Sequence, residues 1–166
     1  MARVFGTVPP EVPAQRSSAG SAPAFVAAVQ RALARLEGGR AELPFEWLRT
    51  AERQAFLHGF GRDYSDGRGI VTRAPSALYS WHGFGLAVDV VEKDATPWDA
   101  PMSFWQELGE AAEAEGLAWG GRWHTPDLPH VQWGACPASP TDGDRALLAS
   151  AGIEAVWARY GADVEG

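Results

Sequence analysis

Three stretches of the chain repeat apolar side chains at the three-to-four-residue spacing of a helix, and the segments between them alternate or run apolar over strand lengths. In PAFVAAVQRALARLEGG, Phe25, Val26, Val29, Leu33 and Leu36 recur at helical spacing, and Gly38-Gly39 is a stop signal. SFWQELGEAAEAEG predicts a second helix, ended by Gly116, with Asp99 or Pro101 near its start. TDGDRALLASAGIEAVWARYG predicts a C-terminal helical segment broken near Gly152. LPFEWLRT reads as a short strand, after which Thr50 caps a helix over AERQAFLHGF. GRDYSDGRG is a turn-rich loop, GIVT a short strand, and GLAVDVV a strand dense in β-branched residues. LAWGGRW and HVQWG read as a pair of short strands. Residues 1–22, rich in Pro, Ser, Ala and Gly, predict a flexible N-terminal arm, and 23–166 a single domain. Helices that precede and interrupt the strands without regular βαβ alternation predict an α+β fold. Its sheet is small and mostly antiparallel, flanked by helices.

Composition narrows the function. The 166 residues suit one domain with a real core. The formal net charge is -7 and no Lys/Arg run occurs, so the electrostatic footprint of a nucleic-acid binder is missing. No apolar run reaches the length of a membrane span, and the start lacks the apolar segment of a signal peptide. The expectation is a chain made in the cytoplasm, with no nucleic-acid or membrane partner. One cysteine, Cys136, excludes an intrachain disulfide and a cysteine-based zinc site. Eight tryptophans are many for this length and suit either core packing or a cleft that grips sugars or peptides.

Two polar stretches stand out from this pattern. SWHGFGLAVD carries His82 and Asp89 seven residues apart, with Gly83 and Gly85 between them. That is not the i, i+3 or i+4 spacing of helical metal ligands. A glycine turn entering a strand folds His82 back towards that strand. WHTPDLPHVQW places His130 at the start of another strand, with Asp127 three residues earlier in a loop stiffened by Pro126 and Pro129. If the two strands are neighbours, two imidazoles and a carboxylate converge, which is a catalytic zinc arrangement with an open position. Asp127 then stands where a proton acceptor is needed. A carboxylate inside an apolar strand requires a partner, and for Asp89 that is a metal ion or an arginine. His58, on a helix, and His124, at a cleft rim, read as ordinary polar residues.

Together the two stretches resemble the zinc peptidases that include D-Ala-D-Ala carboxypeptidases, the vancomycin-resistance dipeptidases and phage L-alanyl-D-glutamate endolysins. The first family motif, S-x-H-x-x-G-x-A-x-D, is filled by Ser80, His82, Gly85, Ala87 and Asp89. The second, an acidic residue three before a histidine, is filled by Asp127 and His130. LRTAERQ is similar to the family segment whose arginine contacts the reacting carbonyl or the substrate carboxylate, which maps to Arg49 with Gln54 following. Trp47-Leu48 stands where the family often has Gly-Tyr. GGRWHTPDLPHVQ is closer to the endolysin-like branch than to the carboxypeptidases, which tend to use glutamate in an E-x-W-H setting.

The resemblance implies a hedgehog/DD-peptidase fold and zinc held by His82, Asp89 and His130. It implies Asp127 as base and Arg49 beside the developing oxyanion. The implied reaction is cleavage of the L-alanyl-D-glutamate bond of the peptidoglycan stem peptide by a monomer acting on the cell wall. Ser80, Arg73 and Arg122 are candidates for substrate binding, Ser80 equally for a turn hydrogen bond. Trp81, Phe84, Trp123 and Trp133 are candidates for cleft walls or for core. A D-alanyl-D-alanine carboxypeptidase and a non-catalytic, zinc-containing wall-binding module are the alternatives.

Overall fold

The computed structural model describes residues 2–36, 42–93 and 98–164. Helix α1 (Pro23–Ala34) opens on a proline, whose missing N–H costs nothing in the first turn. The expected Gly38-Gly39 stop lies outside the described residues. Strand β1 (Glu42–Glu46) is followed by α2 (Ala51–Gly59), and Thr50 caps that helix by accepting a hydrogen bond from the Arg53 N–H. A 3-10 turn, Trp81–Phe84, feeds β2 (Ala87–Glu92). Helix α3 (Met102–Ala114) has Pro101, not Asp99, at its cap, and Gly116 closes it with φ +75°. Strands β3 (Ala118–Trp119) and β4 (His130–Gln132) come next. The C-terminal segment is α4 (Asp142–Ala151) and α5 (Ile153–Arg159), broken at Gly152 as its sequence indicates.

The four strands form one antiparallel sheet in the order β1-β2-β4-β3, so the architecture is α+β. Helices α1 and α3 pack on each other. The apolar face of α1, with Phe25, Ala28 and Val29, joins Phe104, Leu108 and Ala112 of α3 and Val88 and Val90 of β2 in one core. Each large side chain fully buried there stabilises the fold by about 1.5–3 kcal/mol.

Two expectations change. GIVT is irregular rather than a strand. It finds no ladder partner among the described residues, Gly67 before it and its own Gly69 take positive φ, and Ile70 and Val71 stay exposed. Residues 2–22, expected as an arm, are irregular but lie against the domain. The Gly6 N–H donates to the Asp63 carbonyl, and the Trp47 N–H to that of Gln15. Val8 and Val12 pack on a small second cluster of Phe56, Leu57 and Phe60.

One rung of the sheet matters most. Across it, Glu46 of β1 pairs with Asp89 of β2, and Asp89 pairs with His130 of β4. Directly opposed residues point to the same face. In β1 the register shifts between Pro44 and Glu46. Such a bulge re-aims a side chain, and here it turns Glu46 to the face of Asp89.

Candidate active site

The rung lies at the floor of an open cleft of about 780 Å³. His82 reaches it from the 3-10 turn. Ser80 caps that turn, its hydroxyl accepting from the His82 N–H at 3.3 Å. Gly85 ends the turn in the left-handed region, at φ 68° and ψ 27°. A Cβ there would lie 2.6 Å from the Gly20 carbonyl oxygen, so only glycine permits both the conformation and the close approach. The other half of the site is set by a second glycine. Gly120 accepts a backbone hydrogen bond from Asp127 at 2.9 Å. A Cβ on it would stand 2.5 Å from the Asp127 carbonyl oxygen.

Three side chains converge. His82 Nε2 is 3.3 Å from Asp89 Oδ1, and His130 Nδ1 is 3.7 Å from the same oxygen. Asp127 Oδ2 lies 3.8 Å from His130 Nδ1, with its side chain half exposed to the cleft. The outward nitrogens of both rings are engaged: His82 Nδ1 with the Trp47 carbonyl at 3.0 Å, His130 Nε2 with Gln132 Oε1 at 2.9 Å. Each ring therefore presents its other nitrogen, with a lone pair when neutral, to a carboxylate oxygen. Lone pairs facing a carboxylate repel unless a cation, a proton or a metal ion, sits among them. The potential ligand atoms of His82, Asp89 and His130 all lie within 4.8 Å of one another. Two nitrogens, each oriented by an outer hydrogen bond, and one oxygen, of a carboxylate that stands beside Arg49, fit a zinc ion.

The electrostatics follow from this crowding. Burial pushes Asp89 up, but the charge of His82, hydrogen bonds from His130 and His82, and the charge of Arg49 outweigh it and hold the carboxyl well below its ordinary range. Asp127 moves the other way: burial and the charge of Asp89 raise it, against His130, His82 and Arg49. His130 is raised, because its hydrogen bond to Asp89 and the charge of Asp127 overcome burial. Two carboxylates in one site with oppositely moved affinities for the proton suit a ligand and a base.

Arg49 is buried and lines the cleft. Its Nη2 lies 2.6 Å from Glu46 Oε1 and 3.5 Å from Asp89 Oδ2, and its Nη1 donates to Gln54 Oε1 at 3.0 Å. Arg53 binds the other oxygen of Glu46 at 2.7 Å. Asp89 thus has an arginine as well as the imidazoles. Glu46, 2 % exposed, anchors two arginines under the site. Its role was not readable from sequence, because the β1 bulge sets the face it takes. Gln132 was also missed. The available signal was its position two residues after His130 in a strand, which puts both on one face.

The remaining candidates divide. Trp123 lines the cleft, its ring 4.9 Å from that of His130, and Trp81 lines the floor while almost wholly buried. Phe84 and Trp133 belong to the core. Ser80 lines the cleft, but its hydroxyl is used by the turn. Arg73 is exposed, and Arg122 pairs with Glu113 at 2.9 Å; neither lines the cleft. Thr72 and Ala74, on either side of Arg73, do line it. The third arginine along the cleft, after Arg49 and Arg53, is Arg68, half exposed and paired with Asp66. His58 sits on α2, and His124 is exposed, outside the cleft lining.

Comparison with known proteins finds a family likeness over part of the chain and a likeness of fold. Residues 73–133 match the family model described as D-alanyl-D-alanine carboxypeptidase. Among solved structures, the chain is similar to the Serratia marcescens L-Ala D-Glu endopeptidase ChiX, with a TM-score of 0.53 and 24% sequence identity. That likeness covers 70% of this chain and 82% of the other, and at this identity it speaks for the fold. Residues 73–133 carry both motifs of the converging site.

Proposed function

We propose that the protein is a zinc-dependent peptidoglycan hydrolase that cleaves the L-alanyl-D-glutamate bond of the stem peptide. The observation that carries this reading is the convergence of His82 Nε2, Asp89 Oδ1 and His130 Nδ1 at the floor of an open cleft, with Asp127 beside them. A zinc ion held by these three residues supplies Lewis acidity to the scissile carbonyl and makes water a nucleophile near neutral pH.

The chain's own residues do the rest. Asp127, raised in proton affinity and half exposed, takes the proton from the attacking water. As the carbon–nitrogen bond breaks, it returns that proton to the leaving nitrogen of D-glutamate. Arg49, fixed by Glu46 and Gln54, adds positive charge beside Asp89 where the oxyanion develops. Trp123 and Pro129 wall the cleft near His130. Of the cleft arginines, Arg68 is the half-exposed one, and we assign it the D-glutamate α-carboxylate.

Two features support the endopeptidase over the carboxypeptidase: an aspartate at position 127, and the likeness of the fold to an L-Ala D-Glu endopeptidase. The family description favours the second reading, removal of terminal D-alanine. Digestion of purified muropeptides, with zinc and with a chelator, followed by mass analysis, separates the two. New D-glutamate amino termini are expected, zinc-dependent and with no free D-alanine. Release of D-alanine alone shifts the assignment to the carboxypeptidase. Peptidoglycan binding without any cleavage would leave a wall-binding module. In Asp127→Asn, hydrolysis is expected to fall about 10²–10⁴-fold while zinc content stays at the wild-type level.

A further inference from the structure

Three polar groups outside the ligand set meet behind His130. The Pro137 carbonyl accepts from the indole Nε1 of Trp81 at 2.7 Å and from the amide Nε2 of Gln132 at 3.0 Å. Gln132 is 1 % exposed. A backbone carbonyl can only accept, so the NH₂ end of the Gln132 amide is the end that faces it. The Oε1 end then faces His130 Nε2, at 2.9 Å. An amide oxygen also only accepts, so that ring nitrogen carries the hydrogen. In the neutral ring the lone pair is left on Nδ1, the atom that faces Asp89 and Asp127.

We propose that Gln132 is the positioning residue that fixes His130 as an Nδ1 donor, and that the Pro137 carbonyl sets the orientation of Gln132. The consequence is a link between the two motifs. Trp81 is the immediate neighbour of His82, so a single carbonyl, beyond the end of the family match at residue 133, ties the turn that carries one imidazole to the strand that carries the other. His82 is fixed in the opposite sense, its Nδ1 donating to the Trp47 carbonyl so that Nε2 faces inward. Without Gln132 the hydrogen loses its acceptor at Nε2, and the carboxylates of Asp89 and Asp127 that face Nδ1 favour the other tautomer. The fraction of rings with hydrogen on Nδ1 then cannot serve as ligand until they rearrange.

This inference rests on the zinc reading of the site, but its test does not depend on hydrolysis. Long-range proton–nitrogen correlation spectra of metal-free, histidine-labelled protein, at a pH where the ring is neutral, report the tautomer. Wild type is expected with the His130 hydrogen on Nε2. Gln132→Met, similar in volume but unable to bond, is expected to show mixed tautomers. Its zinc affinity, by competition with a chromophoric chelator, should weaken about 10–100-fold. Gln132→Glu keeps the accepting oxygen and should hold the Nε2–H form, with affinity much nearer wild type. Wild-type His130 found with hydrogen on Nδ1 overturns the proposal without any variant, so a misfolded mutant does not shield it. So does a Gln132→Met protein with unchanged tautomer and affinity. Wild-type protein that takes up no zinc removes the metal reading alone, while the tautomer still decides the role of Gln132.

Discussion

Two carboxylates, the partly buried Asp89 and the buried Asp144, each stand near an arginine and do different work. Asp144, on α4, is fully buried and closed by donors. The Thr141 N–H and hydroxyl reach Oδ2 at 2.8 and 2.9 Å, the Tyr160 hydroxyl reaches Oδ1 at 2.8 Å, and Arg159 Nη1 stands 3.2 Å from Oδ1. Every contact is a donor meeting an acceptor, and the result locks α4 to α5. Among the described residues, the permanent cation beside Asp89 is Arg49, at 3.5 Å. Its other close neighbours are imidazole nitrogens, which face it with a lone pair when the rings are neutral. A closed network contributes stability. A network in which neutral imidazoles, each oriented from behind, turn lone pairs towards a carboxylate is arranged for chemistry.

The contrast can be broken most severely at the ligands. His82→Ala or Asp89→Asn is expected to lose stoichiometric zinc, read by metal analysis after dialysis, and to lose hydrolysis with it. Retained zinc in either variant would falsify the ligand assignment. Next comes the support beneath the rung. Glu46→Gln leaves Arg49 and Arg53 with a neutral partner in a buried place, and should cost about 3–5 kcal/mol in urea unfolding. A midpoint equal to wild type would mean that the arginines find other partners.

Asp144 supplies the complementary case. Burial raises its carboxyl, but hydrogen bonds from Thr141 and Tyr160 and the charge of Arg159 outweigh it and hold the value below the ordinary one. A depressed folded-state value means stability that is fully present above the unfolded pKa of about 3.9 and lost as pH falls through the lower folded value. Asp144→Asn should therefore be less stable than wild type at neutral pH, by a margin that shrinks below about pH 4. Its zinc affinity should be unchanged. A margin constant with pH would show that the charge of Asp144 is not what stabilises the hairpin. The smallest effect is at Cys136, whose thiol burial, helped by the charge of Asp144, pushes up to about 12. Native wild-type protein should resist a thiol reagent at pH about 8, and Asp144→Asn should be labelled slightly faster.

Much of the site was legible because its chemistry is written in short segments. His82 and Asp89 share one glycine-hinged turn and strand, and Asp127 and His130 share one proline-stiffened loop. Local backbone geometry acts over those distances, so residue type and spacing carried the information. The helices were legible for the same reason, since apolar periodicity and caps are local. GIVT misled because its β-branched residues fit a strand locally, whereas a strand exists only where another offers its backbone.

The sequence by itself determined the α+β class, the helix ends at Gly116 and Gly152, and the two motifs that carry His82, Asp89, Asp127 and His130. Only the tertiary structure decided which partners stand behind them. The bulge in β1 brought Glu46 to the rung, the antiparallel pairing of β2 with β4 set Asp89 opposite His130, and the segment after β4 placed the Pro137 carbonyl against Gln132 and Trp81. It also left Arg73 and Arg122, candidates for their charge alone, out of the cleft lining. Register and loop closure bring together residues far apart in the chain, and no local preference encodes where a distant carbonyl or carboxylate will come to rest.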